Sequence, residues 1–167
     1  MIVIVFGVSG AGKTTIGKLL AQEVCWHFYE ADDFHSRANI DKMRRGIPLT
    51  DADRWPWLES LRQLIERSLE AGENAVLACS VLKRAYRERL RVSAEVKFVF
   101  LRGDYALIKK QLRSRRGHFM NPELLRSQFA DLEEPTPDED ILTVDVGRTP
   151  EEIVEEIKTK LNLTKKQ

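Results

Sequence analysis

The sequence has little of several features that would by themselves define a protein class. Only two cysteines, Cys25 and Cys79, occur among its 167 residues, and neither stands in a spacing typical of metal ligands. No apolar run approaches the roughly 18 residues needed to span a bilayer, and no repeat or low-complexity linker divides the chain. We therefore expect one domain over residues 1–167, reduced, cytoplasmic and without a membrane segment.

An excess of charge of one sign is also absent. Lys and Arg number 27 against 26 acidic residues, which leaves a formal net charge of +1. This balance gives no general reason to expect nucleic acid or an anionic membrane as a partner. The apolar N-terminal run is too short for a signal peptide and lacks a basic start, so we expect no leader.

The sequence does contain short apolar runs that alternate with segments of helical periodicity. The runs, which we predict to be strands, are 2–6, 28–30, 75–79, 96–101 and 141–146. Between and after them, apolar residues at helical spacing predict helices, including one from Trp57 that Gly72 stops and a last one opened by the capping box at Thr149. Alternating strands and helices predict an α/β fold, a five-stranded parallel sheet with helices on both faces.

The segment after the first predicted strand is a glycine-rich phosphate-binding loop, or P-loop. It fits the pattern G-x-x-x-x-G-K-[ST] and precedes a predicted helix. Glycines let backbone N–H groups close around phosphate oxygens, the lysine reaches the β- and γ-phosphates, and the threonine hydroxyl ligates Mg²⁺. A chance match occurs in roughly one chain of this length in two hundred, given average glycine usage. The predicted nucleotide-binding residues are Gly7, Val8, Ser9, Gly10, Ala11, Gly12, Lys13, Thr14 and Thr15.

Two classes of P-loop protein are disfavoured. The Asn-Lys-x-Asp guanine reader of switch GTPases is missing, and the third predicted strand ends in Cys79-Ser80, not in the acid expected of AAA-type or motor ATPases. Carboxylates instead follow the second predicted strand, in Glu30-Ala-Asp32-Asp33. Ligands of parallel sheets bind at this edge, where one carboxylate can take the proton of an attacking hydroxyl and another can hold a magnesium-bound water. The alternative is a solvated acidic turn.

Several further blocks, together with the P-loop, resemble the gluconokinase family and occur in that family's order. They are Ala31-Asp-Asp-Phe-His35, Asn39-Ile-Asp-Lys-Met43, Gly46-Ile-Pro-Leu49, Asp51-x-Asp-Arg54 with Pro56-Trp-Leu58, Cys79-Ser-x-Leu-Lys83 with Tyr86-Arg87, and Gly117-His-Phe-Met120. The resemblance implies an adenylate-kinase-like sheet with a lid, and ATP and Mg²⁺ as cofactors. It also implies phosphorylation of D-gluconate to 6-phosphogluconate, and a homodimer.

Site roles follow from this resemblance and from side-chain chemistry. Asp32 is the predicted general base. Lys13 is predicted to supply the positive charge that binds the phosphates, and Glu30 to assist Thr14 in holding the metal. His35 is placed to hydrogen-bond a polyol. Arg54 is the cation suited to gripping the carboxylate of gluconate.

Basic residues elsewhere complete the predicted site. Lys83 and Arg87, one helical turn apart, could reach the same cavity, although an exposed basic helix explains them equally simply. The stretch 111–135 resembles the lid that closes over ATP, with Arg115 neutralising charge on the transferred phosphoryl and His118 near the substrate. Gln111 stands where the family often has an arginine that can stack on adenine, which leaves the adenine contact undefined.

Two other functions remain open on the sequence. A P-loop kinase of shikimate or nucleoside type would share the loop and the lid but not the blocks from Asp32 to Arg54. A nucleotide-dependent switch or nucleic-acid binder using 83–91 would bind nucleotide without sugar-dependent turnover.

Overall fold

A five-stranded parallel sheet forms the centre of the computed structural model, which describes residues 1–114 and 122–163. The strands are β1 (Ile2–Phe6), β2 (His27–Glu30), β3 (Ala75–Ala78), β4 (Val96–Arg102) and β5 (Leu142–Asp145). They lie in the order β2-β3-β1-β4-β5, so the first strand is central and the chain crosses over it. The predicted sheet and fold class are confirmed.

Helices connect the strands. Their bounds are α1 (Lys13–Val24), α2 (Arg37–Arg44), α3 (Asp51–Glu70), α4 (Arg84–Leu90), α5 (Tyr105–Ser114), α6 (Pro122–Asp131) and α7 (Pro150–Lys160). Within residues 1–114 and 122–163, no helix combines the length and the apolar character that crossing a membrane requires.

The two faces of the sheet carry separate apolar clusters because successive strand residues point to opposite sides. Ile2, Ile4 and Phe6 of β1 pack with α3 and α4. Val3 and Val5 pack on the other side, with α1, α5, α6 and α7. Since both faces are covered, β1 is buried along its whole length. The P-loop, which follows the carboxyl end of β1, is therefore attached to a rigid, buried strand.

The helix boundaries differ from the sequence prediction around α2 and α3. The helix α2 was not predicted, because its sequence is polar and gives too few apolar residues for a periodic pattern. The helix α3 begins at Asp51, ahead of the apolar face that starts at Trp57. Thr50 caps it, accepting a hydrogen bond from the backbone N–H of Asp53, whose carboxylate bonds back to Thr50. The first turn of α3 therefore carries Arg54 towards the carboxyl edge of the sheet.

Candidate active site

The P-loop lies between the buried end of β1 and the first turn of α1. Gly10 and Gly12 have φ values of 82° and 97°, a left-handed backbone that glycine adopts without steric cost. The Lys13 ammonium donates hydrogen bonds to the carbonyl oxygens of Gly7 (3.0 Å) and Val8 (3.1 Å). The N-terminus of α1, with its positive dipole end, opens into this loop. The arrangement is a cradle for phosphate groups.

Thr14 and Glu30, the two predicted metal ligands, are hydrogen-bonded to each other beside the loop. The Thr14 hydroxyl donates to Glu30 Oε2 at 2.5 Å. Burial raises the pKa of Glu30, with the nearby Asp32 charge acting in the same direction. Among the described residues no group of three acidic, His or Cys side chains could hold a metal alone. A hydroxyl and one carboxylate suit Mg²⁺, which keeps several waters and binds substrate phosphates.

The acidic turn after β2 is a short 3₁₀ segment, Ala31–Phe34. Ala31 is buried, and its carbonyl accepts a 2.7 Å hydrogen bond from the Trp57 indole, which fixes the turn against α3. Asp32 and Asp33 are exposed on this turn. The turn thus presents two carboxylates at the carboxyl edge of the sheet while its backbone stays anchored.

Electrostatic effects show which groups share the neighbourhood of Asp32. Burial raises the pKa of the Cys79 thiol, and the charge of Asp32 raises it further while Lys13 opposes it. Burial lowers the pKa of His35, on which Asp32 and Arg54 act in opposite directions. The charge of Asp32 therefore shares one neighbour, Cys79, with Lys13 and another, His35, with Arg54.

His35 is held in a fixed orientation by two contacts. Its ring stacks on Trp57, with centroids 4.3 Å apart and planes inclined by 12°. Its Nδ1 lies 3.3 Å from the Asn39 amide nitrogen, which also donates to the Asp53 carbonyl oxygen at 2.9 Å. If the amide donates to Nδ1, the neutral ring carries its proton on Nε2. Asn39, to which the sequence assigned no role, sets this tautomer.

Arg54 is the centre of a polar cluster formed by residues of α3, α4 and α6. Its side chain is 12% exposed, and it donates to the Tyr86 hydroxyl (2.9 Å) and to Asp131 Oδ2 (3.1 Å). Lys83 donates to Asp51 at 3.1 Å, and Tyr86 donates to the same carboxylate. The predicted cations Arg54 and Lys83 do come together, but through three partners, Tyr86, Asp131 and Asp51, to which the sequence assigned no role.

Arg87 occupies a different place from the one predicted. It is 1% exposed, and its five N–H donors make five hydrogen bonds, two to Glu139 and three to backbone carbonyls. Its guanidinium also lies over the Phe6 ring. No donor is left for a substrate, because a buried guanidinium must satisfy its hydrogen bonds internally. The predicted substrate contact of Arg87 is replaced by a structural one that ties α4 to the segment after α6.

Two predicted site residues, Arg115 and His118, lie outside the described residues. The described parts of the predicted lid are the end of α5 and the helix α6 with the segment that follows it. Their predicted roles stay predictions.

Comparison with known proteins assigns this chain to a family. A family model described as an AAA domain matches residues 2–135. A gluconokinase of Gluconobacter oxydans is 44% identical over 155 residues, which are 92% of this chain and 87% of that protein. The chain belongs to the gluconokinase family. The predicted resemblance is therefore confirmed, and with it the prediction of a P-loop kinase.

Solved structures agree with the gluconokinase assignment. A gluconokinase from Sinorhizobium meliloti superposes with a TM-score of 0.86 and 42% identity, covering 96% of this chain and 90% of that one. A shikimate kinase from Aquifex aeolicus reaches a TM-score of 0.61 at 20% identity, covering 97% and 96%. The second likeness shows the fold alone.

Proposed function

We propose that this protein transfers the γ-phosphoryl group of ATP to the terminal hydroxyl of D-gluconate, giving ADP and 6-phosphogluconate. The observation that carries the proposal is the largely buried Arg54 guanidinium, standing on the acceptor side of a phosphate-binding loop in a gluconokinase-family chain. A fixed cation of this kind suits a substrate that has a carboxylate at one end.

The P-loop side of the site holds the nucleotide in this proposal. Backbone N–H groups and the Lys13 ammonium bind the β- and γ-phosphate oxygens, where Lys13 exchanges its two carbonyl partners for phosphate. Thr14 and Glu30 would hold Mg²⁺ and its water, and the ion neutralises negative charge on the phosphates when it is bound. Catalysis then depends mainly on positioning and on electrostatic stabilisation of the transferred group.

The acceptor side orients the sugar acid. Arg54 grips the carboxylate with the N–H groups not engaged by Tyr86 and Asp131, and Lys83 adds positive charge beside it. His35 donates a hydrogen bond from Nε2 to a hydroxyl group of the sugar acid. The terminal hydroxyl oxygen attacks the γ-phosphorus, the bond to the β–γ bridging oxygen breaks, and Asp32 takes the hydroxyl proton.

Four further expectations stay predictions. They are the lid over residues 111–135, the charge neutralisation by Arg115 with His118 near the substrate, the homodimer and the cytoplasmic location.

An acceptor panel tests the proposed function directly. We expect ADP release, measured in a coupled assay with ATP and Mg²⁺, to depend on gluconate and to stay at background with shikimate, common nucleosides or no acceptor. Binding of ATP shown by calorimetry, combined with inertness to gluconate and turnover of another acceptor, would overturn the assignment.

A conservative change at Arg54 tests the carboxylate contact. Lysine keeps the charge but cannot make the bidentate contact, so Arg54→Lys should raise KM for gluconate by about 10- to 100-fold, the loss of one charge-assisted hydrogen bond. KM for ATP should change much less. Initial rates with each substrate varied at saturation of the other give both constants. Equal rises in both would point to a structural role of Arg54.

A further inference from the structure

The helix α6 contacts the P-loop through Gln128. The backbone N–H of Ser9 donates to Gln128 Oε1 at 2.6 Å, and Gln128 Nε2 lies 3.3 Å from the Ser9 hydroxyl oxygen, to which it donates. Only the carbonyl end of the amide can accept from an N–H, so the orientation of Gln128 is fixed. These bonds join residues 119 positions apart in the chain.

Apolar contacts reinforce this link. Leu125, one turn earlier on α6, is 2% exposed and belongs to the same apolar cluster as Val8 and Ala11 of the loop. From α5, Leu112 covers Gly10 so closely that an added Cβ would lie 2.6 Å from its Cγ. The first half of the P-loop is therefore packed against α5 and α6 and cannot shift independently of them.

The C-terminal end of α6, one turn beyond Gln128, contacts Arg54. Asp131, three residues after Gln128 and hence on the same side of the helix, accepts from Arg54 at 3.1 Å. Just beyond, the Glu133 N–H donates to the Leu82 carbonyl at 2.8 Å, and the Glu133 carbonyl accepts from the buried Arg87. This end of the helix is thus fixed to the segment that carries Lys83.

We propose that α6 is a spacer that holds the phosphate-binding loop and the acceptor-site cation at a fixed separation, with Gln128 and Asp131 as its positioning residues. Three residues of helix span about 4.5 Å along the axis, a short and stiff connection. Phosphoryl transfer requires the attacking oxygen and the phosphorus to be about 3–3.5 Å apart and in line. The inference rests on the proposed function for the identity of the acceptor, but the coupling itself does not.

Variants at the two contact residues of α6, Gln128 and Asp131, test this coupling. Gln128→Leu keeps the approximate size of the side chain and removes both bonds to Ser9. Asp131→Asn keeps the shape of the side chain and removes the negative charge that pairs with Arg54. The measurements are Kd for a non-hydrolysable ATP analogue by calorimetry, and KM for gluconate and for ATP. We expect each variant to affect the distant site as well as its own. Asp131→Asn should weaken binding of the analogue about 5-fold or more, and Gln128→Leu should raise KM for gluconate similarly.

The double variant and a control complete the experiment. If either substitution releases the spacer, the double variant should be no worse than the more severe single one. Ala130→Gln, on the exposed side of α6 between the two positions, should leave all constants unchanged. Effects confined to the nearer site, and additive in the double variant, would overturn the proposal. A wild-type protein inert to gluconate would count against the proposed function only, because the analogue Kd of Asp131→Asn still decides the spacer.

Discussion

Replacing Lys13 by alanine is expected to lower kcat by about 10³-fold, in line with the loss of a preorganised group that stabilises charge in the transition state. The ammonium stands inside the loop, 3.0 Å and 3.1 Å from two of its carbonyl oxygens, so it is already placed where phosphate oxygens arrive. The measurement is kcat from steady-state ADP release at saturating gluconate and MgATP.

A second lysine on the same helix gives the matched control for Lys13. Lys18 is exposed on α1, where its ammonium lies over the Phe28 ring, 5.9 Å from the centroid. Lys18→Ala should therefore retain nearly full turnover, and circular dichroism should show both variants folded. Near-normal turnover of folded Lys13→Ala would mean that this loop does not cradle the transferred phosphate.

Local signals in the sequence were sufficient for the sheet and the P-loop. The run 2–6 is apolar throughout because β1 is central and covered on both faces, and the glycines after it are needed by a backbone with positive φ. The capping box at Thr149 also forms as predicted, with the Glu152 N–H bonded to the Thr149 hydroxyl at 3.2 Å. In each case the residues that determine the structure are close neighbours in the chain.

The parts of the site that the sequence missed depend on partners far apart in the chain. Arg87 was expected in the substrate cavity, but its guanidinium forms a hydrogen-bonded ion pair with Glu139, 52 positions later in the chain. Gln128 meets Ser9 across 119 positions. Neither pairing leaves a periodic pattern, because a single side chain making one long-range contact looks the same in sequence as an exposed polar residue. Asn39 was missed for a related reason, since α2 has too few apolar residues to be recognised as a helix.

The polar cluster around Arg54 pairs this proposed substrate-binding cation with protein groups. Burial alone lowers the pKa of Arg54, but its bonds to Tyr86 and Asp131 outweigh that effect and the pKa is raised. The Tyr86 and Lys83 bonds hold the pKa of the Asp51 carboxyl below its usual value. Arg54 and Asp51 therefore stay ionised around neutral pH, and the bonds to Tyr86 and Asp131 give Arg54 a fixed geometry, which lowers the entropy lost when a carboxylate binds.

Asp32→Asn is expected to lower kcat by about 10²–10⁴-fold, the usual contribution of a general base, with little change in ATP affinity. Asparagine keeps the shape and one acceptor oxygen, so the acceptor hydroxyl can still be oriented but its proton has no carboxylate to go to. Asp32 lies on the turn between Glu30, which accepts a hydrogen bond from Thr14, and His35. The measurement is kcat at saturating gluconate and MgATP.

Asp33 provides the matched control for Asp32, because it is the next residue of the same exposed turn. Asp33 lines a cavity of about 470 Å³ next to β2, together with Thr14 and Glu30 of the proposed metal site. Asp33→Asn removes an equal charge from the turn and should cost much less turnover. If Asp33→Asn proves the more damaging change, the base is Asp33. If neither variant loses activity, this segment is only a solvated acidic turn, and proton transfer must be assigned to another group.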